Sequence, residues 1–151
     1  MAARIGELLV QSGLISEQNV SGALEIQKKS RRKLGEILIE LGYIDSCDLI
    51  RVLSQQAAIP FIELRAEMLD NRLIKSFPEK LLYNNTIIPL YETEDKISFA
   101  IGDPANRTVI IKLLKFTAKE IELSGAEPER IIQLLNKFFL VDQTEEVLGD
   151  K

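Results

Sequence analysis

Histidine is absent from these 151 residues, and cysteine occurs once, as Cys47. Without an imidazole or a second thiol, no Cys/His metal cluster, no internal disulfide and no Ser-His or Cys-His catalytic pair can be assembled. No GxxxxGK[ST] phosphate loop occurs either, so the chain has no ATPase engine of that kind. A catalytic role is therefore the least favoured class, and no metal is expected. No stretch approaches the about 18 to 20 apolar residues of a membrane span, and no charged segment followed by an apolar signal core opens the chain. A cytoplasmic location is expected. Excess positive charge is missing too, since the net charge is -4, and neither DNA nor RNA is an expected partner. The one basic run, Lys28-Lys29-Ser30-Arg31-Arg32-Lys33, carries no aromatic residue, and it reads as a solvated connector rather than a nucleic-acid patch.

What is present is a duplication. With 46% hydrophobic and 28% charged residues the chain is globular, and RIGELLVQSGLI at residues 4 to 15 returns as KLGEILIELGYI at residues 33 to 44. At an offset of 29, twenty-four positions pair without a gap and seven are identical: Gly6/Gly35, Glu7/Glu36, Leu9/Leu38, Gly13/Gly42, Ile15/Ile44, Leu24/Leu53 and Gln27/Gln56.

Each copy has the helical spacing of a hairpin, with Ile5, Leu8 and Leu9 on the first helix and Val20, Ala23 and Leu24 on the second. Gly13 and Gly42 stand where a left-handed residue ends the first helix, and Ser16 and Asp45 where an N-cap starts the second. Neither hairpin can bury its apolar face alone, so the two are expected to pack around Leu9, Ile15, Leu24, Leu38, Ile44 and Leu53.

Core packing does not account for every match. Gly6 and Gly35 lie in the first turn of a helix, where Gly costs about 1 kcal/mol relative to Ala. Either two helices approach closely there, or a ligand approaches the bare backbone. Arg4 and Lys33 place a cation two residues before each glycine, where the helix dipole disfavours it. Gln27 and Gln56 close the copies with an amide that can donate and accept. Each of these has an ordinary surface reading, but together and in register they form two quasi-equivalent half-sites. A ligand with its own two-fold symmetry, such as a cyclic dinucleotide, suits that arrangement, with its phosphates for the cations and its purine edges for Arg and Gln.

At these residues the sequence resembles the MshEN domain, the N-terminal region of type II secretion and type IV pilus assembly ATPases and a receptor for cyclic di-GMP. The matching motif is RLGxxLVxxGxIxxxxLxxxLxxQ, twice, with a five-residue spacer, here KKSRR. The resemblance runs on through FIEL and TIIPLYETEDKISFAIGDPANR to about residue 139. It implies that Arg4, Gly6 and Gln27 serve one half of the ligand and Lys33, Gly35 and Gln56 the other. Asp103 of the GDP turn would be a further contact, and Leu8, Leu9, Ile37 and Leu38 would be apolar contacts to bases and sugars. It further implies an ATPase core as partner, in cis or in trans, and a membrane attachment made only through an inner-membrane platform protein. Docking onto that platform without nucleotide is the alternative function. Lys33 departs from the family's Arg, replacing a planar fork with a point charge, at an expected cost of about 1 to 3 kcal/mol in reading a guanine edge.

The second half is expected to be a small α/β unit, giving an α+β fold overall: residues 1–59 the tandem helical part, 60–139 the α/β part with a three-stranded sheet, and 140–151 a linker or tail. Ile59-Pro60 marks the boundary. Residues 61–64 suggest a short strand, 78–83 a helix, 86–91 and 96–101 paired strands, 107–116 a helix, 120–124 a strand and 128–139 a helix. Asp103 before Pro104 is also an ordinary turn residue. The chain reads either as part of a longer motor protein or as a free-standing regulatory module.

Overall fold

The computed structural model of the chain describes residues 5–149, with side chains through Leu140. The first four helices are α1 (Ile5–Gln11), α2 (Glu17–Lys28), α3 (Leu34–Glu40) and α4 (Ser46–Gln56). The two hairpins end and restart alike. Gly13 and Gly42 both adopt φ 81°, and Leu14 and Tyr43 donate back to the Leu9 and Leu38 carbonyls at 3.2 and 3.1 Å, closing the same left-handed cap in each copy. Ser16 Oγ accepts from the Asn19 N–H at 3.1 Å and Asp45 Oδ1 from the Asp48 N–H at 2.7 Å, each cap answered by the third helical residue.

Helix α1 packs against α4 and α2 against α3. Exchanging the copies converts one contact into the other, as an approximate two-fold rotation requires. Leu9, Ile15, Leu38 and Ile44 form the centre of this helical core, as their spacing implies. Leu24 does not join it: it is 40% exposed, and Ala23 and Val52 are buried in place of Leu24 and Leu53. The inward stripe is Val20–Ala23 and Leu49–Val52, one helical step round from the Leu pair, because the close approach of the helices at Gly6 and Gly35 turns that side inward.

Beyond α4 the chain makes a 3-10 turn (Ala66–Met68), then α5 (Asn71–Lys75), α6 (Glu79–Asn85), β1 (Ile87–Glu92), β2 (Lys96–Ile101), α7 (Thr108–Leu113), β3 (Glu120–Gly125) and α8 (Pro128–Gly149). The sheet order is β1-β2-β3, the first pair antiparallel and the second parallel. Ile97, Phe99 and Ile101 of β2 are fully buried with Leu82, Leu113, Ile131 and Leu135 in a second core. The expected strand at 61–64 reduces to one bridge, Phe61 to Gly125, because the chain leaves the sheet edge after Ile62. Helix α8 continues through 140–149, where the sequence suggested a linker or tail; that stretch holds no proline before its terminal Gly149.

The two cores meet at one tight junction. A methyl on Gly125 would stand 1.8 Å from Ser54 Oγ, and Ser54 is 1% exposed, its hydroxyl donating to the Ile50 carbonyl at 2.7 Å. Arg107 donates to the Ala57 carbonyl at 3.0 Å and Ser46 to Glu129 at 2.9 Å across the same seam. No helix among the described residues is long and apolar enough to cross a membrane.

Candidate functional site

The glycines inside the helices have a packing reason. A methyl on Gly35 would lie 2.7 Å from Leu49 Cδ1, and one on Gly6 would lie 3.1 Å from Val20 Cγ1. Leu49 and Val20 are equivalent positions of the duplication, so each hairpin closes on its own glycine. That does not exhaust Gly35, which also lines a groove.

The groove holds about 440 Å³, within the usual range of small-molecule sites. The start of α3 supplies Lys33 and Gly35, the GDP turn supplies Gly102 and Asp103, and Leu49 and Leu53 of α4 form an apolar wall. Asp103 Oδ1 accepts from the Ala105 N–H at 3.1 Å, so the turn role and a ligand role can share the carboxylate, whose other oxygen remains available to donors. Gly102 is obligatory in its own right, since a methyl there would meet Thr86 Cγ2 at 2.7 Å and Pro128 Cα at 3.1 Å.

A second hollow of about 430 Å³, lined by Gly6, Glu7, Val10, Glu17, Val20 and Ser21 among others, is the same hollow in the first copy. Adding the offset of 29 gives Gly35, Glu36, Ile39, Ser46, Leu49 and Ile50, all of which line the larger groove. The copies therefore carry matching hollows. The second alone is roofed by the α/β part, through Thr86, Gly102, Asp103, Pro128 and Glu129.

Of the residues singled out from the sequence, Lys33, Gly35 and Asp103 come together, and Gly6 faces the other hollow. Gln27 donates to the Arg32 carbonyl at 3.3 Å and so braces the connector, which is also held by an Arg32–Glu40 ion pair. Gln56 is exposed at the end of α4. Leu8 is half-buried, whereas Leu9, Ile37 and Leu38 are fully buried in the helical core and do not line either hollow. Arg4 lies outside the described residues; its neighbour Ile5 lines the groove. Thr86, Pro128 and Glu129 escaped the sequence reading because nothing in the duplication points to residues so far along the chain.

Charge around the groove is mixed: Lys33 faces Glu36, Asp103 and Glu129. Such a lining does not suit a bare polyanion. It suits a ligand that has both anionic groups and hydrogen-bond donors, because carboxylates accept from N–H groups while the cation meets the anion.

Known proteins resemble the chain over nearly its whole length. A type IV pilus assembly ATPase, PilB of Myxococcus xanthus, is 28% identical over 152 residues, 99% of this chain. PilB of Pseudomonas aeruginosa is 26% identical over 136 residues, 87% of this chain. The chain spans only 27% and 23% of the length of these two relatives. A solved structure of MshE with cdg (cyclic di-GMP) superposes with a TM-score of 0.78 at 26% identity, covering 91% of this chain and 99% of that one. The N-terminal domain of XpsE superposes with a TM-score of 0.65 at 18% identity, covering 88% and 92%, which speaks to the fold alone. The family model of the MshEN domain matches residues 57–145, the α/β part rather than the duplicated hairpins. The chain belongs to the MshEN domain family.

Proposed function

We propose that this chain is a cyclic di-GMP-binding regulatory module of a type IV pilus or type II secretion ATPase. The observation that carries the reading is the convergence of Lys33 and Gly35, from the repeat, with Asp103, from the distant GDP turn, on one groove. Likeness over nearly the full chain to MshE, solved with cyclic di-GMP, supports the same ligand.

In this reading the Lys33 ammonium meets a phosphate, and the free oxygen of Asp103 accepts from the N1–H or the amino group of guanine. Leu49, Leu53 and Ile5 cover the purine face. Arg4 is assigned the equivalent cationic role from the first copy. Because the roof of the groove belongs to the α/β part and its floor to the helices, a bound ligand bridges the two and stiffens their seam. That change is what an ATPase core, in cis or in trans, would sense. The module acts in the cytoplasm, with any membrane contact made through a platform partner.

Calorimetry of the chain with cyclic di-GMP, with GTP as control, tests the proposal. Saturable heat with cyclic di-GMP alone, lost in Asp103→Ala, supports it. A flat titration at high micromolar protein would sink it and leave platform docking as the function.

A further inference from the structure

The sheet has two edges, and only one is protected. On β1, Pro89 lacks an N–H and a bulge interrupts the register between Pro89 and Tyr91, both ordinary devices against strand addition. On β3 the backbone tells a different story. The Glu120 N–H donates to the Asp95 carbonyl and the Ala126 N–H to the Ile101 carbonyl, so the even-numbered residues turn toward β2. Gly125 turns outward, donating to the Pro60 carbonyl at 2.7 Å and accepting from the Ile62 N–H at 2.9 Å. By alternation Ile121 and Leu123 also turn outward, and their N–H and C=O groups have no partner among the described residues.

Beside this edge lies a mostly apolar hollow of about 680 Å³, formed where the chain leaves the sheet through Ile59, Pro60 and Ile62 and passes Met68. Tyr91, Ser98 and Glu122 form one row across the strands at its floor. Ser98 is 4% exposed, so this floor is closed on the side of the sheet away from the hollow. Unpaired strand backbone beside an apolar hollow is the arrangement that accepts an added strand.

We propose that the β3 edge at Ile121–Leu123 docks an extended basic segment of a partner protein, which adds as a fourth strand and sets apolar side chains into the hollow. Charge selects this occupant. A second copy pairing antiparallel through the same edge would set Glu122 against its own counterpart on adjacent strands, a repulsive pairing. Lys96 pairs with Glu122 at 3.0 Å and Lys119 with Glu92 at 3.0 Å, both on the surface, and Glu120, Glu94 and Asp95 leave this end of the sheet negative beyond those pairs. A Lys or Arg opposite Glu122, flanked by apolar residues two positions away, satisfies both the charge and the hollow. This surface is separate from the nucleotide groove and does not depend on it.

The test uses the full chain and an acetylated, amidated heptapeptide, Thr-Val-Thr-Lys-Thr-Val-Thr, with a control in which Glu replaces Lys. Hydrogen exchange should slow at the Ile121 and Leu123 amides with the basic peptide, and the acidic control should bind at least about tenfold more weakly. Leu123→Pro removes an outward N–H that the ladder does not use, so the fold should persist while binding is lost. Glu122→Lys should reverse the preference between the two peptides. Unchanged exchange at saturating peptide overturns the proposal, as does undiminished binding to Leu123→Pro. Concentration-dependent dimerisation that protects the same two amides without peptide overturns it in favour of a second copy.

Discussion

The contact between Ser54 and Gly125 can be tested by a substitution that adds one carbon. In Gly125→Ala the new methyl meets Ser54 Oγ at 1.8 Å and Ser54 Cβ at 3.0 Å. Turning the serine away would break its hydrogen bond to the Ile50 carbonyl in a buried site. Moving the strand would break the bonds of Gly125 to Pro60 and Ile62. The remaining response is withdrawal of α4 from the sheet, so the cost should sit at the upper end of overpacking, about 3 kcal/mol. Ser54→Gly alone should cost about 1 kcal/mol as a glycine within a helix. In that background the next contact of the new methyl is Ile50 Cγ2 at 3.6 Å, an ordinary distance, and Gly125→Ala should then cost below about 0.5 kcal/mol. The double-mutant cycle should therefore show a coupling of roughly 2 to 3 kcal/mol, read by urea unfolding followed by circular dichroism. Equal costs of Gly125→Ala in both backgrounds would refute the close approach.

Lys33→Arg should tighten cyclic di-GMP binding by about 1 kcal/mol, roughly fivefold, if the cation meets a planar guanine edge as well as a phosphate; calorimetry showing no change would confine Lys33 to a point-charge role. Gly35→Ala gains about 1 kcal/mol of helix propensity but crowds Leu49, at about 1 to 3 kcal/mol, so thermal unfolding should show a net loss that is smaller in Gly6→Ala, where the approach is longer; a stabilised Gly35→Ala would remove the packing explanation. Burial, and then the Glu79 carboxylate, raise the Tyr83 phenol above its ordinary value. The neutral form is thus favoured in the fold, and the resulting stability, complete below the ordinary phenol range, is lost as pH rises through and beyond it. Tyr83→Phe should flatten that alkaline slope in urea midpoints, and an unchanged slope would assign it to other groups.

Local signals carried most of the helical half. Paired glycines and paired cap residues located the ends of α1 to α4, because a left-handed turn and an N-cap each depend on a few adjacent residues. Leu24 was misplaced since periodicity leaves the inward direction free by one helical step, and the direction was set by contacts at Gly6 and Gly35. The three strands and α8's start were legible from alternation and from Pro128, whereas α5 was not, being too short to show a period. The groove was only half legible. Lys33, Gly35 and Asp103 stood out, but Thr86 and Glu129 reach it through the seam that Ser54–Gly125, Arg107–Ala57 and Ser46–Glu129 hold together, contacts between residues far apart in the chain.

At the position of Ser54 the first copy carries Glu25, an exposed side chain paired with Lys28. A carboxylate of that size could not enter the notch that Gly125 leaves. Duplication has thus produced a pedestal and an arm: the second hairpin is bolted to the sheet, while the main contacts of the first, among the described residues, are with its twin and with the connector that Gln27 and Arg32 brace. The extensive contacts that join the first hairpin to the rest of the module run through α3 and α4, so a change of its tilt would be felt first by its twin and only then by the sheet.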